Sequence, residues 1–284
     1  MTDVSSKVST KPTLYFEDVE IIACSIFDPT MMYIAGQNSI VYQQTLFSDS
    51  IKKDSLENDN LEEKSASTIS EFQPRKWIPS RKLIKLMTRQ VQIGVSAIGG
   101  VVSALDGWDD VDPSRRGLFI GASPQTMQSD IDDALQHSFV DGAFSLEAFA
   151  KEGVRHIHPL WLVKGLSNNI LGFSSAFWDC QGVNSNYCHG SLGGKIALEE
   201  SIWALYENRC DIALVGASDD VRQAETFLGK KGNESAAFFA LQRKKGGRIS
   251  LDQREVDEMV EQRGIFGAST WPLALAKKWI KEQR

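Results

Sequence analysis

The sequence is poor in cysteine and has no long apolar run. Its four cysteines, at positions 24, 180, 188 and 210, form neither a CxxC pair nor a dense framework, which argues against a disulfide-stapled scaffold and against a cysteine zinc site. No apolar run reaches the roughly 18 residues of a membrane-spanning helix, and the N-terminus lacks the pattern of a signal peptide. We therefore expect a reduced, cytoplasmic, soluble protein without a membrane span.

Positive charge is also scarce. The 284 residues carry 31 Lys and Arg against 37 Asp and Glu, a formal net charge of −6, and no long basic run. This balance argues against nucleic acid as the main partner. Hydrophobic residues make up 42% of the chain, which is enough for one large domain or two small ones to bury a core.

Strand-like apolar runs alternate with helical periodicity along most of the chain. The runs Asp18–Phe27, Gly117–Ala122 and Glu234–Arg243 predict strands. Apolar residues at three- and four-residue steps predict a helix over 79–105. Further helices are expected from about 125 to 136, over the charged residues 252–262 and over the amphipathic residues 270–281. Gly246–Gly247 predicts a turn after the last strand. Strands alternating with helices indicate an α/β layer fold.

Two segments lack such periodicity. Residues 1–12 are rich in Ser, Thr and Lys, and we expect a loose tail. Residues 48–72 are acidic and poor in aromatics, which indicates a solvated flexible loop. The alternative is a segment that docks a partner and becomes ordered on binding. We therefore expect a main domain over residues 13–250, with this insertion, and a C-terminal helical segment over residues 251–284.

The block from His158 to Ala217 offers the most specific pattern. It predicts a helix over 163–178, a turn at 182, an extended run over 183–187, a tight turn at 190–193, a second helix to about 207 and a buried strand over 212–216. A strand that turns sharply into a helix exposes one side chain beside free helix N–H groups. Here that side chain belongs to Ser191.

The same block resembles the N-terminal half of the β-ketoacyl synthases, members of the thiolase superfamily. The resemblance is carried, with no gap, by Pro159-Leu160-Trp161, Asn168, Gly172, Gly182-Val183, Gly190-Ser191, Gly193-Gly194, Asp211 and Leu214-Val215-Gly216-Ala217. Weaker similarity extends it over about residues 14–250. It implies an α/β, thiolase-like layered fold, the N-terminal half only, in which helices sandwich a mixed sheet.

Two departures from the family pattern bear on function. Ser191 stands where the family has its nucleophilic cysteine, and a hydroxyl without a base is a far weaker nucleophile than a thiolate. The family's C-terminal catalytic histidines have no counterpart, since the histidines at 137, 156, 158 and 189 all precede Ser191. The chain therefore resembles a catalytically incomplete subunit, and is most similar to the small chain-length-factor subunit of aryl polyene gene clusters.

The resemblance implies a heterodimer with a full-length catalytic ketosynthase, which builds polyketide or polyene chains by fatty-acid-type condensation and receives acyl units from an acyl carrier protein. It implies no cofactor and no metal. We call the sharp turn from strand to helix around Ser191 the elbow. In the family, the extended run before this turn pairs with its counterpart across a two-fold axis. Here that interface run consists of Val183, Asn184, Ser185, Asn186 and Tyr187.

The resemblance also suggests a role for Trp161 and Leu160. They occupy the family position that reaches toward the end of the partner's acyl tunnel, where a bulky side chain would limit product length. Trp161 could instead serve only in packing. A chain that carries half of a two-half fold could also expose a large apolar face.

Ser191 itself admits three interpretations. The first is a vestigial, buried hydroxyl at a tight turn. The second is a stand-alone serine acyl hydrolase or acyltransferase, with His189 near enough to touch Ser191, although no histidine follows Ser191 to complete a triad in the usual order. The third is a decarboxylase-like subunit that keeps an oxyanion pocket. His156 and His158 alternate like metal ligands, but no third ligand stands at a convincing spacing, so ordinary loop or interface histidines are expected.

Overall fold

The computed structural model describes residues 14–37, 39–45, 67–70, 72–123, 128–223 and 228–283. The predicted tail over residues 1–12 lies outside the described residues, as do residues 48–66 and 71 of the predicted acidic loop. Within the described ranges, no helix is long and apolar enough to cross a bilayer.

The described strands and helices alternate along the chain. In chain order the strands are β1 (Leu14–Asp28), β2 (Met31–Gly36), β3 (Ile40–Thr45), β4 (Arg116–Ala122), β5 (Phe139–Val140), β6 (Ala143–Phe144), β7 (Asn184–Tyr187), β8 (Ile212–Asp220) and β9 (Glu234–Leu251). The α-helices are α1 (Arg81–Ile84), α2 (Arg89–Ser103), α3 (Gln128–Gln136), α4 (Leu146–Lys151), α5 (Trp161–Gly165), α6 (Asn169–Phe177), α7 (Gly193–Tyr206), α8 (Gln253–Arg263) and α9 (Thr270–Glu282).

Seven of these strands form one mixed sheet in the order β3-β2-β1-β9-β8-β4-β7. Strand β4 runs parallel to both β7 and β8, as predicted for the Gly117–Ala122 run, whereas β9 is antiparallel to β8 and to β1. Strands β3 and β7 lie at the two edges. Because the three parallel strands end on the same side, the loops that follow β4, β7 and β8 meet there.

Helices cover both faces of the sheet. Along β8, Ala213 and Val215 point into the core shared with α7, α8 and α9, while Ile212 and Leu214 point into the core shared with α2 and α6. This alternation is that of a strand buried on both sides. The expectation that a large apolar face would lie open is therefore wrong for the sheet, since α8 and α9 cover the second face.

Several predicted boundaries differ from the structure. The single helix predicted over residues 79–105 is two helices, because Thr88 caps a new start at α2 by accepting a hydrogen bond from the Val91 N–H. The helix predicted over residues 163–178 is also divided, since Asn169 Nδ2 donates to the carbonyls of Val163 (2.7 Å) and Lys164 (3.1 Å) that end α5.

Strand β9 does not turn at Gly246–Gly247 as predicted. It continues to Leu251 through an irregular pairing with β1, where Asp18 and Gly246 both have positive φ and the Gly246 N–H donates to Asp18 Oδ1 at 2.7 Å. These features are those of a β-bulge. Ile69, at the end of the segment predicted as a solvated loop, is buried, so that part of the segment packs on the core.

The chain between β4 and β7 makes an excursion that includes β5, β6 and the helices α3 to α5. We call described residues 128–166 the β4–β7 excursion. It carries most of the exposed large apolar side chains of the described chain: Ile131, Leu135, Phe139, Val140, Phe144, Leu146, Val154, Leu160, Leu162, Val163 and Leu166. The exposed large apolar side chains of the described chain are therefore concentrated in one segment.

Candidate functional site

The predicted elbow is present. Strand β7 leads into a single turn of 3₁₀ helix, Gly190–Leu192, which continues directly into α7. Gly190 has φ +53°, a left-handed conformation that suits glycine, whereas Ser191 does not lie in the left-handed region. The left-handed position of this turn is therefore occupied by Gly190 and not by the residue at the nucleophile position.

Ser191 is exposed, so the expectation that its hydroxyl is buried is wrong. Among the described residues, no side chain forms a hydrogen bond with its hydroxyl, and this includes the neighbouring ring of His189. A serine nucleophile needs a base within about 3 Å. The predicted contact between His189 and Ser191 is thus absent from the structure.

The inner side of the elbow is filled by the chain's own C-terminal part. A 3₁₀ turn, Gly267–Ser269, leads into α9 and packs against the first turn of α7. At Gly194 the approach is so close that a Cβ would lie 2.3 Å from the Ala268 carbonyl oxygen and 2.6 Å from Pro272 Cδ. Only glycine fits there. We call residues 267–272 the elbow cover.

A buried carboxylate fixes the elbow cover to the sheet. Asp219, near the end of β8, accepts a hydrogen bond from the Ala268 N–H at 2.8 Å and another from the Ser123 hydroxyl. Burial raises the pKa of Asp219 to about 6, even though these hydrogen bonds and one from the Asp220 N–H favour the ionised form. The carboxyl ends of the parallel strands β4 and β8 and the elbow cover are thereby joined by one titratable group.

The four histidines do not assemble into a site. His137 and His156 stack with their ring centroids 3.7 Å apart, and His158 Nδ1 accepts the Leu160 N–H at 3.0 Å. In the described part of the chain, no group of three or more His, Cys, Asp or Glu side chains is arranged to hold a metal ion.

The predicted interface run lies at the free edge of the sheet. Val183 O accepts the Leu118 N–H at 3.0 Å, and Leu118 is in register with Asn184. In parallel pairing, alternate residues direct their N–H and C=O groups toward the neighbouring strand. Ser185 and Tyr187 therefore face β4, whereas the backbone groups of Asn184 and Asn186 face away from the sheet.

Two buried polar atoms without partners lie on the predicted residues. The amide oxygen of Asn186 and the indole Nε1 of Trp161 are both buried without a hydrogen bond to any described group. Trp161 is half-buried at the start of α5, and Leu160 just before it is exposed. Unsatisfied buried polar groups are uncommon in folded proteins and call for an explanation.

The sequence did not indicate the elbow cover or Asp219. Asp219 carried one usable signal, since an acidic residue at the carboxyl end of a parallel strand is often near a site. The elbow cover carried none, because its glycine and small residues at 267–269 resemble an ordinary helix start.

No protein family model matches the chain, and no curated protein matches it. Solved structures do. A chain from a complex of a type II polyketide synthase acyl-carrier protein with its ketosynthase bound to the hexaketide is 16% identical, with a TM-score of 0.58 over 94% of this chain and 82% of that one. The ishigamide ketosynthase/chain length factor is 16% identical, with a TM-score of 0.52 over 80% of this chain and 62% of that one.

A β-ketoacyl synthase from Burkholderia phymatum is 14% identical, with a TM-score of 0.54 over 89% of this chain and 62% of that one. At such identities the likeness concerns the fold. The chain has a ketosynthase-like α/β fold, with a mixed sheet between helices, as predicted from the residues around Ser191. It spans 62% of the length of the last two structures and 82% of the first.

Proposed function

We propose that the protein is a non-catalytic, chain-length-factor-type subunit that pairs with a full-length ketosynthase and shapes the partner's acyl tunnel. The fold supports this role, since the similar structures include a ketosynthase/chain length factor and a ketosynthase in complex with its carrier protein. The finer parts of the proposal are polyketide or aryl polyene chains as products, a carrier protein engaged through the complex, and a cytoplasmic location.

The state of the elbow is the observation that carries the proposal. Condensation needs a nucleophile that takes over an acyl group, and bases that assist it. Ser191 is exposed and has no base within hydrogen-bonding reach in the described chain, while the elbow cover fills the inner side of the turn. An elbow in this state is suited to a structural role.

The free edge of β7 and the β4–β7 excursion support a large partner. An exposed edge strand offers unpaired N–H and C=O groups, and a paired strand from another subunit would satisfy them. The exposed apolar side chains of the excursion lie in the chain segment that leads into this edge. An interface over both would bury apolar surface and complete backbone pairing together.

The tunnel role falls to Trp161, with Leu160 beside it. A bulky indole at the end of an acyl tunnel would set the length at which further growth is unfavourable. Its buried Nε1 without a partner is expected to find an acceptor in the complex. Replacing Trp161 with Ala should then lengthen the products of the complex, and an unchanged product distribution would count against this role.

Co-expression tests the pairing itself. When co-expressed with a tagged full-length ketosynthase, the full chain should purify in a stoichiometric complex that extends acyl thioesters. The isolated chain should show no such activity, and a complex carrying Ser191→Ala should be as active as the unaltered complex. Loss of condensation in the Ser191→Ala complex, or extension by the isolated chain, would contradict a non-catalytic role.

The alternative is a serine acyl hydrolase or acyltransferase acting alone, and the exposed hydroxyl of Ser191 is the feature that favours it. A fluorophosphonate probe distinguishes the two roles. Labelling of the isolated chain that disappears in Ser191→Ala would support the alternative, whereas the proposed role predicts no labelling at this residue.

A further inference from the structure

An open groove of about 630 Å³ lies at the end of β4 opposite the elbow, where that strand begins beside the carboxyl ends of α2 and α6. Its volume lies within the range of small-molecule sites. Half-buried apolar side chains form part of its lining: Val102, Leu105, Phe177 and Trp178. Phe177 and Trp178 pack edge to face with their ring centroids 5.8 Å apart, so the two rings hold each other in position.

The lining also contains a buried arginine that has no ion pair with a described carboxylate. Arg116 is 5% exposed, and its guanidinium carbon lies 4.7 Å from the ring centroid of Trp108. Its Nε donates to the Val111 carbonyl at 3.0 Å and its Nη1 to the Trp178 carbonyl at 3.2 Å. Its Nη2 has no acceptor among the described residues and is not fully enclosed. A charged donor nitrogen that lines a groove in this state is available to an anionic group.

The other charged residues of the lining are acidic. Asp109, Asp110 and Asp179 are all exposed. Asp179 accepts a hydrogen bond from Gln181 Nε2 at 2.7 Å, whereas the carboxylates of Asp109 and Asp110 have no hydrogen bond or ion pair with a described residue. Three carboxylates and one guanidinium give the lining a net charge of −2. The groove therefore offers a position for a cation as well as one for an anion.

We propose that this groove binds a zwitterionic amino acid with an apolar side chain. The ligand carboxylate accepts from Arg116 Nη2, and the ligand ammonium lies beside Asp109 and Asp110. The apolar side chain packs against Phe177 and Trp178, where its burial is favourable.

A ligand with both charges suits the whole lining better than a ligand with one. A simple cation would leave Arg116 Nη2 without an acceptor, and a simple anion would face three carboxylates. This site goes beyond the proposed pairing with a ketosynthase and does not require it.

The test is isothermal titration of the purified full chain with L-phenylalanine, and one molecule should bind per chain. Two analogues each lack one of the charges: phenethylamine has no carboxylate, and 3-phenylpropanoate has no ammonium. Each analogue should bind at least about tenfold more weakly than phenylalanine, since one charge-assisted contact is lost. Because Arg116 is packed into the fold, this end of the site is tested by changing the ligand and not the protein.

The double variant Asp109→Asn with Asp110→Asn tests the acidic end. It should raise the Kd for phenylalanine about tenfold or more, while binding of 3-phenylpropanoate should not weaken, because that analogue has no ammonium to lose. Both residues are exposed, so the melting temperature should stay unchanged. The matched control is Asp132→Asn with Asp133→Asn, an adjacent pair of exposed aspartates on α3 outside the groove. Its Kd should equal that of the unaltered chain.

Three results would each overturn the proposal: no binding of phenylalanine up to its solubility limit, equal affinity for either analogue, or an equal effect of the control pair. Since no ketosynthase is present in the titration, its result is separate from the outcome of the co-expression experiment.

Discussion

At the residue scale, Asp219 couples the stability of the fold to pH. Burial raises the pKa of its carboxyl from 3.8 to about 6. The protonated form is therefore favoured in the folded state, and the stability it contributes is complete below pH 3.8 and is lost as the pH rises through about 6. The loss amounts to about 3 kcal/mol over that window, at about 1.4 kcal/mol per pKa unit.

Asp219→Asn should remove this dependence. The amide oxygen can still accept from the Ser123 hydroxyl and the Ala268 N–H, and the side chain no longer ionises. Urea unfolding of both proteins from pH 4 to pH 7 should show the variant gaining relative stability as the pH rises, by up to about 3 kcal/mol. Parallel profiles for the two proteins would show that Asp219 does not titrate in this way.

Cysteine reactivity is a second property set by individual residues. Cys24, Cys180 and Cys210 are buried, and burial raises the pKa of the Cys180 thiol to about 12 and that of Cys210 to about 11, so these thiols remain protonated. Cys188, just after β7, is exposed. Ellman's reagent at pH 8 should react rapidly with one thiol per folded chain and with four after denaturation.

Cys188→Ser is the control for this count. Its folded form should show no fast-reacting thiol and three after denaturation. Fast reaction at any of the three buried cysteines would mean that the core opens more readily than its packing indicates.

At the scale of elements, the free edge of β7 can be blocked without disturbing its pairing to β4. Asn186 directs its backbone N–H away from β4, so Asn186→Pro removes a donor only from the free edge, where proline is tolerated. The isolated chain should keep its circular dichroism and its melting temperature, while co-purification with the ketosynthase should be lost.

Ser185→Pro is the matched control on the same strand. Its N–H faces β4, so this substitution should lower the stability of the isolated chain itself. A stoichiometric complex formed by Asn186→Pro would rule out pairing through the free edge of β7.

The close contact between α7 and the elbow cover depends on the absence of a side chain at Gly194. Gly194→Ala would place a Cβ 2.3 Å from the Ala268 carbonyl oxygen, and because backbone must move, we expect a loss of about 1–3 kcal/mol in the free energy of unfolding. Gly172→Ala, in the exposed part of α6 with nothing within 4 Å of the added Cβ, should gain roughly 0.5–1 kcal/mol. Denaturant titration measures both, and equal effects would show that the elbow cover is not tightly packed.

These elements also show what the sequence can predict. Elements that depend on nearby residues were predicted well. Helix α8 begins at the Asp252 capping box, and α9 spans its predicted range within one residue. The turn at Gly190 lies where the sequence motif predicts it. Strands β2 and β3 were missed. The break of α5 from α6 depends on Asn169, whose side chain reaches back to carbonyls of the preceding helix, and no periodicity records such a bond.

The candidate site also combines features that nearby residues determine with features that distant residues determine. The order of β7, elbow and α7 follows from residues close in sequence, and so does the position of Ser191 at the turn between strand and helix. The filling of the elbow's inner side depends on contacts with residues more than 70 positions later, such as the contact of Gly194 with Ala268 and Pro272. A pattern within one segment cannot reveal which distant segment will cover it.

At the scale of the whole molecule, the C-terminal helices complete the core of the sheet. The buried side chains of α9 include Trp271, Leu273, Leu275, Trp279 and Ile280. Burial of a large apolar side chain contributes about 1.5–3 kcal/mol, so together they contribute roughly 10 kcal/mol, which is comparable to the whole net stability of a typical domain. The segment predicted over residues 251–284 is thus joined to the main domain by a shared core.

A chain that ends after Arg263 should therefore fail to fold. Removing the following residues exposes the face of the sheet that α9 covers, so we expect insoluble protein, or a soluble form with strong anilinonaphthalene sulfonate binding and no near-ultraviolet circular dichroism. Removal of only the exposed Gln283 and the final residue serves as the control and should leave the melting temperature unchanged. A shortened chain that unfolds cooperatively, with the native near-ultraviolet spectrum, would mean that the sheet is stable without this cover. In that case the face under α9 would be available to a partner, and the surface assigned to pairing would have to include it as well as β7.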